Sequence, residues 1–211
     1  MVNLPFKSDF NPRFGNSFRV AFNRLQSMEK RFLHDSELKT QYVRFLNEYI
    51  SLGHMEEISS KEINNLAINS YYLPHHAVFK ADSSTTKVRV VFDGSAKSSS
   101  DSNSLNEYLF VGPDIQRYIF TICLRSRHHT YTMSADIEKM YRQIWISPNH
   151  TNFQGVLWRE KPESSIKQYR LLTVTYGTSA ASFLAKRALK QLTLDSAKTH
   201  PRVSSIIFSD L

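Results

Sequence analysis

The spacing of apolar residues changes near Tyr71, and this change limits the chain to folds that combine helices with a sheet. Before this point, apolar residues recur every three or four positions, as on one face of an amphipathic helix. After it, short runs such as residues 88–92 alternate apolar and polar side chains, as half-buried strands do. Helices and strands are therefore segregated along the chain, which indicates an α+β fold.

The N-terminal part is predicted to form two long helices and a short one. Each is preceded by a short polar residue that can accept a hydrogen bond from a free helix amide. The predicted caps are Asn16 or Ser17 for the first helix and Ser59 for the third, and the second helix is expected to follow Asp35 and Ser36. Glu62 stands three residues after Ser59, which completes the pattern of a capping box.

The remaining two thirds are predicted to contain strands and two helices. Strands are expected at residues 75–81, 87–94, 131–136, 152–158, 168–177 and 204–208. The first two flank the polar turn at residues 82–86 and should form a hairpin, or a long finger-like loop.

The first of the two later helices is predicted to be capped by Asp114. Its apolar residues, Ile115, Tyr118, Ile119 and Ile122, are expected to face inward. The second is predicted to run from residue 178 past residue 192.

Composition narrows the function. The chain has 27 lysines and arginines against 19 aspartates and glutamates, which gives a net charge of +8. This favours contact with nucleic acid, and next with an anionic membrane, although a merely solvated lysine face gives the same balance. No apolar run is long enough to span a bilayer, and the N-terminus lacks the apolar core of a secretory signal, so we expect an intracellular protein.

Metal sites built on cysteine or histidine are disfavoured. Cys123 is the only cysteine, which excludes a disulfide or a cysteine-based zinc site within the chain. The histidine pairs at positions 75–76 and 128–129 lack the spacing typical of zinc ligands.

Asp136 follows a strand-like run, and Tyr141 lies five residues further along. A carboxylate at a strand end can supply one oxygen ligand to Mg²⁺, and an aromatic ring beside it can stack under a sugar and exclude a 2′-hydroxyl. The alternative is that Asp136 is a turn residue and Tyr141 a half-buried aromatic residue, neither with a role in binding.

Cations surround the turn of the predicted hairpin. Lys80, Lys87 and Arg89 could fold over a triphosphate, with Arg89 as a bidentate donor. A solvated hairpin in which Arg89 pairs with Asp93 on the same strand face is the alternative.

The order of three segments carries a more specific signal than any single residue. The segments "TTKVRVVFD", "ADIEKMYRQ" and "YRLLTVTYGTSAASFLAKRAL" occur in this order, behind a helical lead-in. In this respect the chain resembles the reverse transcriptases of Pao/BEL-type long-terminal-repeat retrotransposons. The resemblance implies an N-terminal helical extension at residues 1–70, fingers at 71–110 and 145–178, and a partial palm at 111–144 and 179–211.

The resemblance also implies roles for five residues around the predicted metal site. Asp136 would be the first catalytic carboxylate, and Ile137 would offer its carbonyl to a metal. The amides of Lys139 and Met140 would face the triphosphate, and Tyr141 would exclude ribonucleotides.

Five further residues would surround the nucleotide by the same resemblance. Lys80 and Arg89 would bind the phosphates, and Asp93 would orient Arg89 or its strand. Tyr176 and Gly177 would line the nucleotide pocket.

Two departures from the family pattern are present. Ser182 replaces a proline near the start of the helix that follows Gly177. The Tyr-x-Asp-Asp signature, which supplies the other two carboxylates, would lie just beyond Leu211, so Asp210 falls immediately before it. We therefore expect a fragment or a decayed copy, inactive alone, since one carboxylate cannot hold two metal ions.

The resemblance implies two Mg²⁺ ions in the complete enzyme, with Mn²⁺ as a substitute. The implied partners are an RNA or DNA template-primer, deoxynucleoside triphosphates, and the protease, ribonuclease H, integrase and capsid parts of a polyprotein. The expected location is the cytoplasm, in a virus-like particle, with the nucleus as the alternative. Two other hypotheses stay open, a non-catalytic nucleic-acid-binding module derived from a retroelement and a structural helical scaffold.

Overall fold

The computed structural model describes residues 1–7, 12–63, 70–79 and 88–210, and it contains both helices and β-sheet, as the sequence predicts. The α-helices are α1 (Ser17–Phe32), α2 (Ser36–Ser51), α3 (Ser60–Ile63), α4 (Leu105–Tyr108), α5 (Ile119–Ser126), α6 (Pro148–Thr151), α7 (Ala181–Asp195) and α8 (Pro201–Asp210). The strands are β1 (Met55–Glu57), β2 (His75–Phe79), β3 (Val88–Phe92), β4 (Gly155–Trp158) and β5 (Lys167–Leu171). Single turns of 3₁₀ helix cover Met140–Gln143 and Asn152–Gln154.

Of the predicted caps, Asn16 and Ser59 are confirmed, and the structure adds Asp35 as the cap of α2. The side chains of Asn16 and Asp35 accept hydrogen bonds, of 2.9 and 2.8 Å, from the amides three residues further along. Ser59 Oγ accepts from the Glu62 amide at 3.3 Å, while the Ser59 amide donates to the Glu62 carboxylate at 3.2 Å. Local sequence therefore sets where these helices begin.

The strands form two antiparallel sheets. One has the order β1-β5-β4, and the other is the predicted hairpin of β2 and β3. In the hairpin, Val78 lies opposite Arg89 and His75 lies opposite Phe92. The hairpin turn lies outside the described residues. Along β3, buried and solvent-facing side chains alternate as predicted, which leaves Arg89 exposed while Phe92 is buried.

Both long helices pack on the sheets. Helix α1 contacts β2 and β4, and α2 contacts β3 and β1. Their inward faces share one apolar core with the strands, which includes Leu25, Met28, Tyr42, Leu46, Tyr49, Val90, Phe92, Val156 and Leu171. The helical lead-in is therefore a structural support of the hairpin.

His75 is a buried polar residue within this core. Its Nε2 lies 2.9 Å from the Leu157 carbonyl, and its Nδ1 contacts the Tyr42 hydroxyl. Since a carbonyl only accepts, Nε2 carries the proton, and Nδ1 of the neutral ring accepts from Tyr42. Both ring nitrogens are satisfied, which explains why the core tolerates this imidazole.

The predicted strand at residues 131–136 is wrong. This stretch has no regular secondary structure, and Tyr131 and Met133 are 89% and 97% exposed. A strand needs a neighbour to take up its amides and carbonyls. Within the described residues, no other segment pairs with this one.

The prediction for the helix after Asp114 is also wrong in its start and its orientation. The helix begins at Ile119, and the Asp114 carboxylate accepts a hydrogen bond from Lys186 at 2.8 Å instead of capping it. Tyr118 and Ile119 are 85% and 72% exposed, because no described element covers this helix face.

The C-terminal part departs from the prediction once more. Residues 204–208 belong to helix α8, which contacts α7, and are not a strand. Pro201 at its first position favours a helix start, since proline is pre-set for helical φ and needs no amide partner there. Helix α7 extends past residue 192 as predicted, begins at Ala181 and includes Ser182.

In the described ranges, no helix combines the length and the hydropathy needed to cross a bilayer.

The buried His75 makes stability depend on pH. Burial, as the main cause, lowers the pKa of its imidazole from 6.5 to about 4. The unfolded chain takes up a proton at higher pH than the folded one, so this group stabilises the fold at neutral pH. That contribution, about 3 kcal/mol, is lost as pH falls from about 6.5 towards 4.

We expect His75→Gln, which can still accept from Tyr42 and donate to Leu157, to remove most of this pH-dependent loss. Urea unfolding of both proteins at about pH 7 and about pH 4.5 measures it. An equal loss of unfolding free energy in both proteins would contradict the assignment.

Candidate functional site

A cleft of about 540 Å³ opens between helix α2, strand β3 and the residues that follow Asp136. Seven of the ten residues predicted as a site line it, namely Arg89, Asp136, Ile137, Lys139, Met140, Tyr141 and Tyr176. The rest of its described lining comes from Phe45, Tyr49, Val88 and Arg142. The fold thus gathers predicted residues from three distant parts of the sequence.

One wall of the cleft is a compact turn at residues 137–143, called the cleft turn below. The Met140 amide donates to the Ile137 carbonyl at 3.2 Å, and the Arg142 amide donates to the Lys139 carbonyl at 2.7 Å. Lys139 adopts a left-handed backbone with φ of 53°, which is uncommon for a residue with a side chain. The turn therefore stores conformational strain that its surroundings must offset.

Arg142 anchors this turn to the rest of the fold. Its side chain is buried, with Nε donating to His54 Nδ1 at 2.9 Å and Nη1 donating to Glu48 Oε1 at 2.9 Å. Its guanidinium also lies 4.0 Å from the centre of the Tyr49 ring. A buried guanidinium is tolerated because carboxylate, imidazole and aromatic face together replace water.

The Glu48 carboxylate joins two cations of the cleft turn. Its Oε1 accepts from Arg142 and also lies 3.0 Å from Lys139 Nζ. Burial by itself would raise the pKa of Glu48, but the hydrogen bonds from Lys139 and Arg142 outweigh it and lower that pKa. The hydrogen bonds that the Lys139 ammonium donates to Glu138 and Glu48 raise the pKa of Lys139.

His54 is held neutral in the same cluster. Burial, followed by the positive charges of Arg142 and Lys139, lowers the pKa of its imidazole. A neutral ring is what the contact requires, since Nδ1 must accept the hydrogen bond from Arg142.

The opposite wall is strand β3 and the segment around Tyr176. The Tyr176 hydroxyl donates to the Val90 carbonyl at 2.7 Å, and its ring lies 6.0 Å from that of Phe92. Arg89 lies between Val88 and Val90, two buried residues of β3, and its exposed side chain lines the cleft. The strand alternation therefore directs a cation at the space beside the cleft turn.

Asp136 is exposed at the edge of the cleft. One carboxylate oxygen accepts from the amide of its own neighbour, Ile137, at 3.0 Å, which orients the side chain at the start of the turn. The predicted place of Asp136 at the end of a strand is wrong, since the segment before it is not a strand.

The oxygen donors at this edge fit one half of a Mg²⁺ site. Asp136 offers a carboxylate, and Ile137 offers a carbonyl that keeps one lone pair after accepting from Met140. Mg²⁺ often takes only one or two protein oxygens and completes its shell with phosphate and water. No group of three or more His, Cys, Asp or Glu side chains suited to a metal occurs in the described part of the chain.

The Met140 amide, predicted to face a triphosphate, is bound to the Ile137 carbonyl at 3.2 Å. In this conformation it is not free to meet a phosphate.

Two of the predicted residues that the structure describes, Asp93 and Gly177, do not line the cleft. The Asp93 carboxylate accepts from the Ser95 amide at 2.9 Å, in the turn after β3. Gly177 packs behind the wall, where its carbonyl accepts from Gly94 at 3.3 Å. Lys80 lies outside the described residues.

Sequence reasoning missed four supporting residues. Glu48, His54 and Arg142 form the anchor of the cleft turn, and Asn106 holds the turn at Gly177. Asn106 Nδ2 donates to the Gly177 carbonyl at 3.0 Å, and its Oδ1 accepts from the Ser179 amide at 2.8 Å. Local patterns give no signal for these contacts, because their partners lie far apart in the sequence.

No family model matches the chain, and no curated protein matches it.

Gly177 should be far more sensitive to substitution than another glycine with positive φ. Its φ is 100°, and an added Cβ would lie 1.9 Å from the Phe92 carbonyl oxygen, whereas Gly53, with φ of 69°, has nothing within 4 Å. We expect Gly177→Ala to lower the free energy of unfolding by about 3 kcal/mol or more. Gly53→Ala should lower it by only about 1 kcal/mol.

Urea unfolding of the two variants beside the wild type makes this comparison. Similar losses in both would show that the backbone around Gly177 relaxes freely, contrary to the packing described.

Proposed function

We propose that this chain is the nucleotide-binding part of an RNA-directed DNA polymerase, a fragment of a retrotransposon polyprotein of the Pao/BEL type. The observation that supports it best is the cleft in which Arg89, Asp136, Lys139, Tyr141 and Tyr176 meet. These residues carry the family resemblance in sequence, and the fold brings them together although the sequence separates them.

The charges of the cleft suit a triphosphate. Arg89 and Lys139 carry exposed cationic groups on opposite walls, and Asp136 is the acidic residue of the described lining. The Lys139 ammonium also pairs with Glu48 and Glu138, at 3.0 Å each, so a phosphate would share it with these carboxylates. A guanidinium and an ammonium on two sides can bind phosphate oxygens by charge-assisted hydrogen bonds. The net charge of the whole chain, +8, suits contact with the polyanionic template-primer.

Asp136 and Ile137 are the residues that would hold a divalent ion, Mg²⁺ or Mn²⁺, against the phosphates. When bound, such an ion neutralises phosphate charge, and a pair of them in the complete enzyme promotes nucleotidyl transfer. Because the described cleft lining supplies one carboxylate, we propose that this chain alone binds nucleotide without polymerising it.

Tyr141 would set the choice of sugar. It is half-buried, packs against the core and lines the cleft together with Asp136 and Tyr176. A ring fixed in this way can fill the space that a 2′-hydroxyl would need.

A second candidate function is a non-catalytic nucleic-acid-binding module derived from a retroelement. The presence of a single carboxylate in the described cleft lining, together with the net charge of +8, favours it. It differs in one measurable respect, since it requires salt-dependent binding of a primed template and no Mg²⁺-dependent affinity for nucleotide.

Asp136→Asn should lower the Mg²⁺-dependent affinity for a deoxynucleoside triphosphate about tenfold, because a neutral amide is a poor Mg²⁺ ligand. Anisotropy of a labelled deoxythymidine triphosphate, with and without Mg²⁺, measures this. Affinity for a primed RNA template should stay within about twofold, since one edge carboxylate adds little to phosphate contacts.

The matched control is Asp101→Asn, which neutralises another exposed aspartate outside the cleft lining. Equal nucleotide affinity in the wild type and Asp136→Asn would discard the metal assignment. Template binding without any nucleotide binding by the wild type would favour the second candidate. A protein that binds neither would be a structural scaffold.

Tyr141→Ala should raise the affinity for uridine triphosphate relative to deoxythymidine triphosphate by about tenfold, by removing the ring that excludes a 2′-hydroxyl. Tyr141→Phe keeps the ring and should keep the discrimination. The same anisotropy titration, with labelled ribonucleotide and deoxyribonucleotide, gives the ratio. An unchanged ratio in Tyr141→Ala would remove this residue from sugar selection.

A further inference from the structure

Helix α2 reaches the cleft turn through one carboxylate oxygen. Glu48 Oε1 lies 2.9 Å from Arg142 Nη1 and 3.0 Å from Lys139 Nζ. These two cations stand at the middle and near the end of the turn. A single acceptor from a distant helix therefore holds two points of the same short segment.

The contact at Arg142 is well shielded from water. The Arg142 side chain is 7% exposed, whereas the Glu48 side chain is 38% exposed. Removing the partner of a buried guanidinium leaves a charge without compensation, which costs much more than loss of a surface pair. His54 and the Tyr49 ring stay in place, but neither carries the opposite charge.

The cleft turn needs such support because its own backbone is strained and the segment that leads into it is not held by backbone hydrogen bonds to other described segments. Lys139 holds a left-handed conformation that most side chains avoid. On the N-terminal side, residues 130–136 make no backbone hydrogen bond to another described segment. The turn is therefore held from its C-terminal side, where the Ile144 carbonyl accepts from the Val174 amide at 2.8 Å, and by contacts with α2, His54 and α7, besides its own short hydrogen bonds.

We infer that Glu48 is a positioning residue that fixes the conformation of the cleft turn, and with it the direction of Lys139 and the turn's edge at Asp136. Glu48 does this from the N-terminal helical part, which the sequence presents as a separate lead-in. Its consequence for nucleotide affinity rests on the proposed function, whereas its effect on the turn does not.

Hydrogen exchange tests the effect on the turn directly. The amides of Met140, Arg142 and Ile144 donate within or just after the turn, so their exchange reports its opening. In Glu48→Gln, we expect these amides to exchange about tenfold faster, because the neutral side chain no longer balances the two cations. Amides of β4 and β5 should keep their wild-type rates.

The matched control is Glu56→Gln. Glu56 pairs with Arg170 at 2.6 Å, also with a partly exposed carboxylate and a more buried guanidinium, but between strands β1 and β5. The Glu56→Gln substitution removes the same charge at a site that does not contact the cleft turn. Faster exchange at residues 140–144 in this control as well would show a general loss of stability and overturn the inference.

A pair of Lys139 variants adds a rescue test. Lys139→Arg keeps a cation that can reach Glu48 and should keep slow exchange in the turn. Lys139→Met removes the cation and should shift exchange in the same direction as Glu48→Gln. Equal exchange rates in the turn of the arginine and methionine variants would overturn the role of the ion pair. This comparison can be interpreted even if Glu48→Gln does not fold.

Nucleotide titration separates this inference from the proposed function. We expect Glu48→Gln to weaken binding of Mg²⁺ and deoxythymidine triphosphate about tenfold, in parallel with faster exchange. Unchanged exchange in Glu48→Gln overturns the inference, whatever the titration gives. Faster exchange in a protein whose wild type binds no nucleotide supports the inference about the turn and overturns the proposed function instead.

Discussion

The ring of Tyr49 connects the two walls of the cleft, and the geometry of the site depends on it. One side of the ring contacts the Arg142 guanidinium at 4.0 Å, and the ring also packs 5.9 Å from Phe92 of strand β3. Aromatic packing and a cation over an aromatic face are each modest, but both are protected from water in this case. A single side chain of α2 thereby sets the distance between the cleft turn and the strand that carries Arg89.

The cations of the cleft divide into two kinds. Arg142 is buried and bound to Glu48 and His54, so its charge is used inside the protein. Arg89 is exposed at the opening, where an anionic ligand can reach it, and Lys139 is also exposed there, with its ammonium 3.0 Å from a carboxylate oxygen of Glu48 and of Glu138. This division explains how a cleft can be positively charged and still have a stable wall, and it is the physical basis for proposing a phosphate-bearing ligand.

Features that depend on neighbouring residues could be predicted from the sequence. The caps at Asn16 and Ser59 and the alternation along β3 follow from local chemistry and from a period of two. The strand expected at residues 131–136 could not be judged in this way, because a strand exists only where a partner lies beside it. The strand predicted at residues 204–208 was wrong for a related reason, since short apolar runs are compatible with a helix or a strand equally well.

The candidate site shows the same limit. Asp136, Tyr141 and Arg89 were found through an ordered resemblance across the chain, since none of them is distinctive alone. Glu48 and Arg142 escaped notice because their contact joins residues 94 positions apart. Nothing near either residue in the sequence distinguishes this pair from a solvated glutamate and a solvated arginine.

The exposed stretch around Tyr131 and Met133 has a consequence for the behaviour of the polypeptide in water. The exposed side chains of Tyr131 and Met133 lie next to backbone groups that no described segment pairs with. Ile119 and Phe120, close by in the sequence, add exposed apolar side chains on a helix. An exposed apolar surface of this kind favours association with other apolar surfaces, including that of a second molecule of the same protein. Concentrated solutions should therefore self-associate through this apolar surface, and dilution or a mild detergent should keep the molecules apart.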